Sequence, residues 1–300
     1  MLRIAAVALA GLLLAGMQDC RTKKTEVLPA AEVLPLKTAT LEELRAQLEK
    51  QQRAIQTLEA TVKLEPATGS AYTGVIEEYH DVRGFLLAER RATAQGNSRQ
   101  VRLLAQTPLI RKTVFDMVAD ENEFRIHLPP KNKFITGPTR LEKRSEKPIE
   151  NMRPQHLFEA LFFDAPFADT LVVVEENEFA GRRYYAVSEI VLDERGRPAL
   201  SRKWWFERSR LELERAQRFD TAGRLISDVR YAAWTEAGGV AYPLQIELVR
   251  PQEDYRLKLV IEKLNLNTPL ALDKFRLERP EGTELLELKP ATDAAGEKRR

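Results

Sequence analysis

The stretch YPLQIELVRPQEDYRLKLVIEKLNL, residues 242–266, decides the fold of this chain of 300 residues. Leu244, Ile246 and Leu248 alternate with Gln245, Glu247 and Val249. Leu257, Leu259 and Ile261 alternate with Lys258, Val260 and Glu262. Successive side chains of a strand point to opposite faces, so this alternation predicts sheet with one apolar face and one wet face.

The same reading extends toward the N-terminus. Leu171–Glu175, Tyr184–Leu192, Lys203–Glu207, Leu211–Phe219 and Leu225–Trp234 read as strands. The turn signals DERGRP (193–198), DTAGR (220–224) and EAGG (236–239) fall among them. Further upstream, Val114–Val118 and Phe124–Leu128 flank the polar turn Asp120-Glu121-Asn122-Glu123, a hairpin signal. Pro129-Pro130 ends that strand, and the short Phe134–Thr136 is closed by Gly137-Pro138. Val101–Leu104 continues the pattern, and Tyr72–Tyr79 and Arg83–Arg90 flank a turn at His80-Asp81. About ten strands in meander order point to one large sheet rather than two domains.

Two segments are helical. Thr40 to about Leu58 opens with a capping box, Thr40-Leu41-Glu42-Glu43, and places Leu41, Leu44, Leu48, Ile55 and Leu58 on one face. The second begins at Arg153-Pro154, with proline suited to a first turn. In it Leu157 and Leu161 share a face, and Phe158 and Phe162 share the adjacent one. A helix apolar nearly all round is buried on several sides. The expected architecture is therefore mainly β, of the α+β class. A single curved antiparallel sheet forms an incomplete barrel, and its concave face is covered by the N-terminal amphipathic helix and the central apolar helix. The cavity between them is the candidate site. Its expected lining is Leu157, Phe158, Leu161 and Phe162 from the helix, with Leu244, Ile246, Leu248, Leu257, Leu259 and Ile261 from the strands.

The ends read differently. Ile4–Ala15 carries no polar side chain. It is shorter than the roughly 20 residues a membrane-spanning helix needs and has the length of a signal-peptide core. Residues 1–20 are thus expected to be an export signal. In LLLAGMQDC (12–20), Asp19 stands where a bacterial lipoprotein signal needs a small residue. Two outcomes stay open: lipid attachment and membrane anchoring at Cys20, or cleavage after Gly16 and release. Residues 21–39 read as a linker, 40–288 as the folded domain and 289–300 as a charged tail.

Lys and Arg number 47 and Asp and Glu 45, and the two signs are interspersed. A nucleic-acid binder would concentrate basic residues on one face. A single cysteine excludes an intrachain disulfide. The chain carries no nucleophile elbow, phosphate loop or dinucleotide fingerprint. His80, His127 and His156 are far apart, and Asp116 and Asp120 stand four apart on or near a strand with no catalytic partner in the sequence. No catalytic residue, cofactor or metal is expected. His127 is expected at an exposed strand position and His156 at the start of the second helix, serving that terminus. In Trp204-Trp205-Phe206 one Trp is expected in the core and the other at the surface.

The order of leader, linker, amphipathic helix, strands, apolar helix and further strands resembles the LolA/LolB-type lipoprotein carriers and the wider set of half-barrel envelope lipoproteins. Tyr242-Pro243 opens a late strand, Asn267-Thr268-Pro269 follows the next one, and Phe275 precedes the turn Pro280-Glu281-Gly282. VFDMVADENEFRIHLPPKNKFITG (114–137) is similar to the family's early hairpin. The resemblance covers about residues 40–288 and implies an envelope protein, outside the cytoplasm, that holds the acyl chains of a lipid or lipoprotein. Such binding needs no catalytic group, since burying apolar surface contributes about 25 cal/mol per Å². The same scaffold also implies an alternative: a structural or regulatory envelope lipoprotein acting through a protein partner.

Overall fold

The computed structural model describes residues 34–70, 75–78, 82–93, 96–107, 110–139, 153–167 and 169–288. The leader, Cys20, the linker up to Val33, His80 and the tail from Lys289 lie outside the described residues.

Helix α1 (Leu41–Ala54) starts at the expected capping box. The Thr40 hydroxyl accepts from the Glu43 amide at 3.2 Å, and the Glu43 carboxylate accepts from the Thr40 amide at 2.8 Å. The helix ends four residues before the expected Leu58. Ile55 is already extended, and Leu58 belongs to β1 (Thr57–Ser70). Leu58, Ala60, Val62 and Leu64 face inward along that strand, each less than 5% exposed.

The remaining strands are β2 (Val75–Glu78), β3 (Val82–Thr93), β4 (Gly96–Gln106), β5 (Thr113–Ala119), β6 (Glu123–Leu128) and β7 (Lys133–Pro138). Helix α2 (Pro154–Leu161) follows. After it come β8 (Leu171–Phe179), β9 (Arg182–Leu192), β10 (Pro198–Glu207), β11 (Glu212–Phe219), β12 (Leu225–Ala237), β13 (Val240–Arg250), β14 (Tyr255–Leu266) and β15 (Glu284–Glu287). They form one curved sheet of fifteen strands in the order β15-β7-β6-β5-β4-β3-β1-β14-β13-β12-β11-β10-β9-β8, with β2 paired to β1 off that path. Two meanders, β3–β7 and β8–β14, are thus joined through β1, which pairs antiparallel with both β3 and β14. Among the described residues no ladder joins β8 to β15, so the barrel stays open, as expected. β1 and β15 are not among the strands expected from the sequence, because their local signals are weak.

Asn267 ties the joint together. It sits just past β14 with φ 58°, a left-handed conformation. Its side chain accepts from the Gln56 amide at 2.9 Å and donates to the Ala54 carbonyl at 2.7 Å, at the end of α1. Its own amide donates to the Thr57 carbonyl. Asn267→Ala removes the side-chain bonds to Gln56, Thr57 and Ala54 and strains the backbone. We expect a loss of about 2–3 kcal/mol, read as a lower urea midpoint, with a smaller loss for Asn267→Gly.

The inner face holds the main core, where Leu44 and Leu48 of α1 and most of α2 pack against both meanders. A second cluster was not legible in the sequence. Leu270, Phe275 and Leu277, from the segment after β14, cover Val118 and Phe134 on the outer face. That segment then adds β15 parallel to β7. Beneath it Arg102 makes a two-pronged ion pair with the buried Asp116, at 3.1 and 2.8 Å, and donates to the Lys274 carbonyl.

Candidate functional site: the plugged inner face

The alternation quoted at the outset aims one row of side chains from β13 and β14 at the helices. Ile246, Leu248, Leu257, Leu259 and Ile261 are at most 4% exposed, and so are Leu157, Phe158, Leu161 and Phe162. All nine belong to one cluster. Leu244 lies half-buried at its margin. The structure therefore brings together the whole set expected from the sequence.

Helix α2 is the plug. At eight residues it is too short to persist alone in water, so packing holds it in place. Its last turn is pinned by the buried Tyr242, whose hydroxyl donates to the Leu161 carbonyl at 3.0 Å. Phe163, just past the helix, meets Tyr231 edge-on at 5.1 Å and stacks on Trp234 at 5.6 Å. A cavity of about 30 Å³ remains beside Phe163, Trp204, Leu213 and Tyr231. That is room for about one water molecule. With α2 seated, side chains of the described residues pack together across the inner face.

Polar groups ring the plug. Glu159 of α2 pairs with Arg218 of β11 and stands 3.9 Å from Arg250 of β13. Arg250 also holds Glu253 at 2.8 Å. Asp164, past the helix, pairs with Arg90 of β3 at 3.2 Å. The Arg90 guanidinium lies 4.8 Å over the Phe162 ring and donates to the Gln52 carbonyl of α1. Glu189 of β9, fully buried, is held by Arg202 of β10 at 2.7 Å, with further bonds from the Phe167 amide and the Thr170 hydroxyl.

His156 corrects the sequence reading. It does not serve the helix terminus but is buried, with Nδ1 2.5 Å from the Tyr255 hydroxyl of β14. Burial, reinforced by Arg250, Arg153 and Arg218, holds its pKa well below the usual histidine value. Burial likewise pushes the Tyr255 hydroxyl far up. Because the folded histidine binds its proton less readily than the unfolded one, its stabilising effect is complete above the unfolded value of about 6.5 and is lost as pH falls below it. The urea midpoint should therefore drop between pH 7 and pH 5 more steeply in the native chain than in His156→Gln.

The other singled-out residues fall as follows. Trp204 is buried on the inner face, while Trp205 lies on the outer face and donates to Gln217 at 2.9 Å. His127 is partly exposed on the outer side of β6, 6.3 Å from the Phe134 ring. Among the described residues no group of three His, Cys, Asp or Glu is placed to hold a metal ion, and no helix is long and apolar enough to cross a membrane.

No protein-family model matches the chain, and no curated protein matches it at a significant level. Solved structures do. A DUF1329 family protein from Desulfovibrio piger superposes with a TM-score of 0.50 at 13% identity, over 78% of this chain and 94% of that one. A putative outer membrane lipoprotein-sorting protein domain from Vibrio parahaemolyticus gives 0.49 at 12% identity, over 78% and 94%. The LolA superfamily protein NE2245 from Nitrosomonas europaea gives 0.47 at 12%, over 80% and 99%. At 13% identity the likeness to the Desulfovibrio piger protein is one of fold alone.

Proposed function

We propose that this protein is a non-enzymatic envelope protein that binds acyl chains of a lipid or lipoprotein on the inner face of the half-barrel, in transport toward the outer membrane. The observation that carries the reading is the plug. A continuous apolar surface, spanning both meanders, is closed by α1 and the eight-residue α2 rather than by a second sheet. A chain of methylenes can replace Leu157, Phe158, Leu161 and Phe162 at little net cost, since apolar burial is non-directional. In this reading residues 40–288 are the carrier domain, residues 1–20 direct export and residues 21–39 form the linker. Cys20 sets whether the domain is tethered or free. Native mass spectrometry of the purified mature chain tests it. A co-purifying acyl lipid, or uptake of a fluorescent fatty acid, is expected; the absence of both would defeat the reading.

A second reading is favoured by β8. Among the described residues it is an open edge, with Leu171, Val173, Val174 and Phe179 exposed at 64%, 45%, 39% and 57%. Unpaired edges of this kind accept a strand from another chain. In that reading the protein acts through an envelope protein partner, and cross-linking from β8 in cells would capture it.

A further inference from the structure

The polar groups around α2 follow a pattern that the apolar packing does not require. Each carboxylate contributed by the plug meets an arginine contributed by the sheet. Glu159 meets Arg218 and Arg250, and Asp164 meets Arg90. The apolar side chains of the same segment fill the space beneath: Leu157, Leu161 and Phe162 are at most 1% exposed. The plug thus has the layout of an amphiphile, an apolar body under an anionic end.

We infer that Glu159 and the apolar face of α2 stand in for the ligand, and that the cargo is an acyl amphiphile with an anionic headgroup. This rests on the acyl-binding reading above and adds the class of headgroup.

The electrostatics favour an anion there. Arg250, Arg153 and Arg218 all act on His156 as positive neighbours. Around α2, Arg218 and Arg250 face Glu159, and Arg250 also faces Glu253. When α2 leaves, Glu159 leaves with it, and Arg218 and Arg250 remain on the rigid strands β11 and β13. Arg250 keeps Glu253, so the excess positive charge rests mainly on Arg218. In the closed state one Glu159 carboxylate oxygen is buried and accepts no hydrogen bond among the described residues, with Arg250 3.9 Å from it. A phosphate or free carboxylate, not bound to a helix backbone, can orient all its oxygens toward the guanidiniums. Arginine binds such groups through paired, charge-assisted bonds.

The test is a competition read by native mass spectrometry, which counts each bound species directly. The protein is offered equal amounts of phosphatidylglycerol and phosphatidylcholine with the same acyl chains, and separately palmitate and glycerol monopalmitate. The first pair probes a phosphate head and the second a free carboxylate. The anionic member of at least one pair should exceed its neutral partner by about tenfold, corresponding to about 1.4 kcal/mol. Arg218→Gln should cut that ratio about threefold or more, through weaker binding of the anionic member. Its side chain is 47% exposed, so the fold should tolerate the change. Glu159→Gln should raise total uptake. If neutral and anionic members bind equally in both pairs, or the ratio survives Arg218→Gln, the headgroup inference falls while acyl binding stands. If nothing binds, acyl binding falls and takes the inference with it.

Discussion

Arg202→Met lowers the unfolding free energy by about 3–5 kcal/mol, because it leaves a carboxylate buried without its counter-charge. Glu189 has no exposed side-chain surface, and Arg202 is 11% exposed. The arginine reaches it through Nε at 2.7 Å and also donates to the Ala165 carbonyl at 3.3 Å. The Phe167 amide and Thr170 hydroxyl complete the carboxylate's bonds, so the pair fixes the segment that leads out of α2 and into β8. Losing the guanidinium therefore releases that segment as well. Removing both charges is gentler, since a hydrophobic replacement needs no solvation. Urea unfolding of Arg202→Met, Glu189→Leu and the double variant checks this. The double variant should be no less stable than Arg202→Met. A double variant that loses the sum of both single effects would show that the pair is not the unit.

Phe158→Ala has a comparable effect on stability and a second, diagnostic effect on binding. The ring is 2% exposed, packs in the main core and lies 5.5 Å beneath the Arg99 guanidinium. Truncating a buried phenylalanine costs about 3–5 kcal/mol through lost transfer energy and the cavity left behind. If α2 occupies the acyl site, that cavity is one a methylene chain can fill. A ligand at about a hundred times its dissociation constant stabilises the folded state by about 2.7 kcal/mol. In the native chain part of that gain goes into displacing the plug; in Phe158→Ala the plug is already weakened. Added acyl amphiphile should thus raise the melting temperature of Phe158→Ala by more than that of the native chain. Equal shifts would separate the helix from the binding site.

These effects follow from features that were unequally legible in the sequence. The rows Leu244, Ile246, Leu248 and Leu257, Leu259, Ile261 were readable because alternation is a local property, and so was the apolar roundness of the second helix. The end of α1 was not. Ile55 and Leu58 continue the helical spacing of Leu41, Leu44 and Leu48, yet the chain turns at Ile55 because β3 and β14 both claim β1. That decision is made by strands far away in sequence. The same holds for β15, whose four residues pair with β7 across the whole second meander. The polar ring was equally hidden. His156 and Tyr255 lie 99 residues apart, and Glu159 and Arg218 lie 59 apart. Only the fold juxtaposes them.

In the proposed function an acyl chain and α2 compete for one surface. Amide hydrogen exchange over residues 154–163, with and without a saturating acyl amphiphile, tests it most directly. In the unliganded chain the Phe162 amide, which donates to the Phe158 carbonyl at 3.0 Å, should be protected. With ligand bound, these amides should exchange faster while those of β13 and β14 stay protected. Ligand binding that leaves α2 as protected as before, or protects it further, would contradict the account.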